Sequence, residues 1–159
     1  MAHTLILLRH AKSAWPPEVP DAERPLAERG RRDAPAAGRW LQERFRKIDL
    51  VLCSPAIRAA QTCDLVFAEW EVQPRIRPEP RLYGASVQEL LQIIQALPSR
   101  VSTAVLIGHN PGLEEVLTVL TGATEPVKTS AIAVIRTPAG WDGAGAGSSA
   151  LEELALPRG

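Results

Sequence analysis

Four short runs, each of five mostly apolar residues, constrain this chain more than any other feature. They cover residues 4–8, 48–52, 103–107 and 131–135. Apolarity that is continuous over so short a stretch predicts strands covered on both faces, because a half-exposed strand alternates instead. Between the runs the spacing changes to a helical one. Val87, Leu90, Leu91, Ile94 and Leu97 fall on one stripe, as do Leu113, Val116, Leu117 and Leu120. A longer helix is expected over 26–45, with Ala34, Ala37, Leu41 and Phe45 on its stripe, and Pro35 either kinks it or marks its start. Ser54-Pro55 and Asn110-Pro111 each read as a cap and first turn directly after a strand.

Strands alternating with helices predict an α/β fold: a three-layer sandwich with a mainly parallel central sheet and helices on both faces. The tail breaks the alternation. Residues 131–135 and 150–156 read as two strands joined by a glycine- and alanine-rich stretch, which predicts an antiparallel edge strand. Residues 143–149 read as a mobile linker by composition. Residues 15–25 hold four prolines without periodicity and are expected to form a loop. The whole of 1–159 is expected to be one domain.

Charge narrows the function. Lys and Arg together number 18, as do Asp and Glu, so a globally cationic nucleic-acid binder is not expected. The balance hides an uneven spread, since residues 1–47 carry 10 basic and 6 acidic side chains and residues 101–159 carry 3 and 6. No apolar run approaches the ~20 residues of a membrane helix. The apolar start is too short for a signal peptide, so a cytoplasmic protein is expected. Cys53 and Cys63 have no CxxC or zinc-ligand spacing, and neither a metal nor a cofactor is expected. Cys53 ends a strand and reads as a buried structural thiol, not a nucleophile. No surface stripe marks a subunit contact.

The three histidines differ in placement. His3 opens the first strand and reads as structural or exposed. His10 and His109 each directly follow a buried run, LILLRH and AVLIGHN. Ligands of open α/β sheets bind beyond the carboxyl ends of the strands, so two strands deliver an imidazole to one rim. The segment DLVLCSPAIRAAQT brings Arg58 from the next helix, and Arg9 accompanies His10. Two guanidiniums suit bidentate recognition of a phosphoryl group. One imidazole can carry phosphorus covalently, and a second, if protonated, can bind its oxygens. The plainer alternative makes the histidines capped loop residues and the arginines surface charges, and placement alone leaves both open.

Four segments in order add a resemblance. LLRHAKS, DAERPLAERG, CSPAIRAAQT and LIGHNPGLEEVL resemble successive motifs of the histidine phosphatase superfamily, the phosphoglycerate-mutase-like fold. The R-H-A-K-S-x-W form and the compact length are most similar to the SixA-type phosphohistidine phosphatases. The resemblance implies that His10 is a nucleophile that becomes phosphohistidine, with Arg9, Arg58 and His109 completing a phosphate pocket. It also implies phosphate contacts from the Ser13 hydroxyl and from a backbone donor at Asn110, although Ser13 reads equally as a helix cap. Lys12 reads as a solvated neighbour. Trp15 is either a rim contact or a loop anchor. Arg24, Arg29, Arg31 and Arg32 either form a basic rim or are simply solvated.

One position departs from the family pattern. Where phosphomonoesterases of this superfamily carry an acidic proton donor, this chain has EPRLYGAS, and the matching residue is Gly84. Glu79 is the nearest carboxylate, either a possible donor or a solvated loop acid. An alkoxide leaving group needs a proton, whereas imidazole needs less help. The expected function is therefore a phosphatase acting on phosphohistidine in proteins. The alternative is hydrolysis of a small phosphomonoester or nucleotide, with Glu79 as acid. The expected partner is a phosphorylated protein or small substrate, with no nucleic acid and no membrane.

Overall fold

A computed structural model describes residues 2–159. Six strands form one sheet: β1 (His3–Arg9), β2 (Leu50–Cys53), β3 (Arg75–Pro78), β4 (Thr103–Gly108), β5 (Ile132–Thr137) and β6 (Ala150–Ala155). Their spatial order is β3-β2-β4-β1-β5-β6. The first four are parallel; β5 runs antiparallel to β1, and β6 antiparallel to β5. The expected antiparallel edge is thus formed by β5 and β6, with β6 outermost.

The apolar runs become strands because both of their faces are covered. Leu5 and Leu7 enter a core shared with α3 (Val87–Gln95) and α4 (Gly112–Thr121). Ile6 and Leu8, displaced by one residue, enter the opposite core with α1 (Glu28–Arg44) and α2 (Ile57–Phe67). All four residues are fully buried. Helix α3 carries the expected apolar stripe and opens on a capping box between Ser86 and Glu89 that the sequence reading did not single out. Helices α1 and α2 approach so closely that any side chain at Gly38 would overlap the Val66 carbonyl oxygen.

Several expectations are corrected. Pro35 neither starts nor ends α1 but lies inside it. Neither Ser54 nor Asn110 caps a helix: α2 and α4 begin after Ala56 and Pro111, without side-chain caps. Strand β3 has no apolar run, since its sequence is RIRP and all four residues are exposed. Residues 143–149 are packed rather than free. Trp141 and Ala144 are buried, Gln95 donates to the Ala144 carbonyl, and the Gly147 and Ser149 amides bond to Val119 and Leu120 of α4. A side chain at Gly143 would collide with Ala139, and Gly147 takes a φ of 68° that favours glycine, needs that composition alone does not separate from flexibility. His3 is structural as expected, packed on Trp141 with a ring nitrogen on the Ser99 carbonyl. Among the described residues no helix is long and apolar enough to cross a membrane.

Candidate active site

Strand β1 carries Arg9 and His10 out of the sheet beside the end of β4. The Ser130 amide, on a residue with φ of 67°, donates to the carbonyls of both Arg9 and His10 and fixes the exit. The Ala11 amide then donates to Thr62 Oγ1, whose hydroxyl donates to the Arg58 carbonyl. The loop beyond is closed at its base, where Ala14 N–H meets the Pro25 carbonyl and Ala27 N–H meets the Lys12 carbonyl. A side chain at Gly30 would overlap that Lys12 oxygen, so glycine is needed for α1 to sit against the loop.

These connections gather Arg9, His10, Arg58 and His109 around a pocket of about 200 Å³. The imidazoles of His10 and His109 lie 5.1 Å apart, centroid to centroid. His10 Nδ1 sits 2.8 Å from the Ala11 carbonyl. A carbonyl only accepts, so Nδ1 holds the proton and Nε2 keeps its lone pair. His109 Nε2 shares a hydrogen bond of 2.7 Å with Ser54 Oγ, and the edge of its ring meets Tyr83.

The two arginines are held by parts of their guanidiniums only. Arg9 Nη1 donates to the Val127 carbonyl. Arg58 Nη1 and Nη2 face Asp21, donating to its carbonyl oxygen at 2.6 Å and its carboxylate at 3.0 Å. Nε of both arginines and Nδ1 of His109 are buried without a partner. An unmet buried donor costs about 1–3 kcal/mol, more when charged. Two guanidiniums and two imidazoles lining one pocket, none paired with a carboxylate inside it, suit an anion with several oxygens. No Asp or Glu lines the pocket among the described residues.

Burial pushes both imidazoles down, His10 to about 3 and His109 to about 4, with the nearby arginines adding to the effect. Both are therefore neutral at pH 7 in the unliganded fold, and a protonated His109 would require the charge of an anion. The same burial makes the fold acid-sensitive. An unfolded imidazole takes up a proton near pH 6.5. Between that value and the folded ones the unfolded chain binds more protons, so stability is whole above pH 6.5 and falls as pH drops. Urea unfolding at pH 7 and pH 5 is expected to show a loss on the order of 2 kcal/mol from His10 alone. His10→Gln should flatten that slope; an unchanged slope would exclude His10 as its source.

Ser13 and Asn110 also line the pocket, and their side chains take part in its framework. Ser13 Oγ accepts from Arg24 Nη1. Asn110 Nδ2 donates to Glu114 and to the Val127 carbonyl. Glu79 is not among the lining residues. Its carboxylate accepts from the Arg81 amide and pairs with the Arg81 guanidinium at 3.0 Å, which holds it below the usual carboxylate range. Arg24 is no solvated rim charge; it is buried, bonded to Asp21, Ser13 and the Ala14 carbonyl, and stacked on the exposed Trp15 ring. Arg29 and Arg32 pair with Asp33 and Glu28 on α1, and Arg31 donates to the Leu26 carbonyl. The Cys53 thiol is buried beside Cys63, and their contact together with burial pushes it far above its ordinary value.

Sequence reasoning missed Asp21 and Tyr83. The Asp21 carboxylate takes hydrogen bonds from Arg58, Arg24 and the Tyr83 hydroxyl, joining three segments at the pocket's edge. Those bonds, Tyr83 first, hold it well below the usual carboxylate range.

The sequence profile of the histidine phosphatase superfamily (branch 1) matches residues 5–89, more than half of the chain. The chain belongs to the histidine phosphatase superfamily. The matched range includes Arg9, His10 and Arg58, while His109 lies beyond it. An uncharacterised protein of Mycobacterium tuberculosis strain H37Rv is 37% identical over 162 residues, covering 95% of this chain and all of that one. Among solved structures, one assigned as the phosphohistidine phosphatase SixA of Nakamurella multipartitia superposes with a TM-score of 0.83. It is 30% identical and covers 99% of this chain and 97% of its own. The protein histidine phosphatase SixA complexed with tungstate is 26% identical, with a TM-score of 0.84 and 97% coverage of both chains. These likenesses to histidine phosphatases extend past β4 and the carboxyl-terminal hairpin, well beyond the profile match.

Proposed function

We propose that this phosphatase hydrolyses phosphohistidine in proteins, with a covalent phosphohistidine on His10 as intermediate. His10 Nε2 attacks phosphorus, and the bond from phosphorus to the substrate imidazole breaks. The leaving nitrogen keeps the electron pair. Protonated beforehand on its distal nitrogen, the substrate ring departs as neutral imidazole and needs no proton from the enzyme. Arg9 and Arg58 hold the phosphoryl oxygens through guanidinium N–H groups, and His109 supplies a third contact as charge develops. Water then attacks phosphorus on His10, releasing phosphate and restoring the imidazole.

The observation that carries the substrate class is that no Asp or Glu lines a pocket otherwise fitted for phosphate, while the two nearby acids are held as carboxylates, Glu79 by Arg81 and Asp21 by Tyr83, Arg58 and Arg24. General acid catalysis typically contributes ~10²–10⁴-fold where the leaving group is an alkoxide. The SixA likenesses, one of them to a complex with the tetrahedral oxyanion tungstate, support the same reading.

The test compares a phosphohistidine-bearing protein with a panel of small phosphomonoesters. The expected kcat/KM favours phosphohistidine by at least ~10²-fold, the lower range of the acid contribution the pocket omits. Glu79→Gln is expected to leave that rate unchanged. Preference for a phosphomonoester, with loss of turnover in Glu79→Gln, would overturn the reading.

A further inference from the structure

The opposite end of the sheet carries a second cationic recess that the catalytic chemistry does not use. Strands β2, β3 and β4 begin there around a cleft of about 280 Å³. Its walls bear Lys47, Arg75, Arg77 and Arg100, and its apolar lining includes Leu50 and Val101, both buried. The cations come from three separate segments. Register places Arg75 beside Leu50 and Arg77 beside Leu52, so the two arginines share the face on which those leucines join the core.

The cleft contains one acid, and it is already committed. Asp49 Oδ2 accepts from the Ser102 and Thr103 amides at 2.9 and 3.0 Å, and Oδ1 lies 3.6 Å from Lys47 Nζ. Among the described residues no ion pair engages Arg75, Arg77 or Arg100. Arginine on an edge strand discourages pairing with other chains, which accounts for Arg75 and Arg77. It does not account for Lys47 and Arg100 meeting them from the segments before β2 and β4.

We infer that this cleft binds a small phosphate-bearing anion with an apolar body, a ligand of the nucleotide class, at a site separate from the catalytic pocket. Guanidinium forks match phosphate oxygens bidentately, and the apolar lining accepts the ring. The separation follows from the strands. The run from Thr103 to His109 along β4 spans about 20 Å at the usual rise per residue, too far for one such ligand to occupy both sites.

The test is an amide-resolved NMR titration of the full chain with α,β-methylene-ADP, whose bridging carbon resists hydrolysis, and separately with inorganic phosphate. Shifts are expected at residues 50–51, 75–77 and 100–101, with a Kd below about 1 mM at low salt. The double variant Arg77→Ala/Arg100→Ala removes two exposed side chains. It is expected to weaken binding at least ~10-fold while phosphatase activity and melting temperature stay at wild-type values. Shifts confined to residues 9–13, 58 and 109–110, no shifts at all, or undiminished binding by the double variant would overturn the site. Equal affinity for inorganic phosphate would overturn the nucleotide-class assignment.

Discussion

His10→Ala is expected to lower turnover at least ~10³-fold and to abolish transfer of the phosphoryl group onto the enzyme. The size follows from the geometry. Nδ1 is committed to the Ala11 carbonyl, so His10 presents one nitrogen with a free lone pair. His109 is placed differently, with Nε2 bonded to Ser54 and Nδ1 buried. Rapid quenching with a radiolabelled phosphoryl donor should trap an acid-labile, alkali-stable adduct in the wild type and none in the variant. Anion binding should survive, since both arginines remain. An His10→Ala enzyme that still forms the adduct would place the nucleophile elsewhere.

Arg58→Lys is expected to cost about 10²–10³-fold in kcat/KM, although charge is conserved. Lysine is a point charge without a fork. It cannot meet the Asp21 carbonyl and carboxylate together while also presenting a planar N–H to the pocket, as the Arg58 guanidinium does. Asp21 would also lose one of its hydrogen bonds, so its pKa should climb toward the ordinary carboxylate range, a change readable by carboxyl NMR. The control is Arg32→Lys, on the exposed face of α1, where a mere ion pair with Glu28 is conserved and activity should not change. Wild-type kinetics in Arg58→Lys would show that charge alone, and not the guanidinium fork, serves the site.

The parts of this architecture that were legible in the sequence are those whose causes are local. Strand β1 is visible because both of its faces are apolar, and α3 because its apolar stripe repeats within a few residues. Arg9, His10 and His109 are legible because each stands directly at a strand end. Arg58 is legible because it follows one by a single turn. Strand β3 was illegible because an exposed edge strand needs only a partner's backbone, and RIRP pairs with β2 without apolar side chains of its own. Asp21 was illegible because its meaning comes from Arg58 and Tyr83, 37 and 62 residues away. The linker expected over 143–149 failed for a related reason, since the hydrogen bonds that order it come from α4 and from Gln95.

The loop that follows His10 is clasped at its base by two backbone hydrogen bonds, from Ala14 to Pro25 and from Ala27 to Lys12. Chain between those bonds hangs from a fixed neck. Residues 16–20 can therefore change in length or identity without moving Arg9 or His10, provided Asp21 keeps its hold on Arg58. Variation at the tip is thereby decoupled from the position of the phosphate-handling residues at the neck. A lineage can lengthen or rewrite the tip while Arg9 and His10 stay where they are, and a protein engineer can do the same.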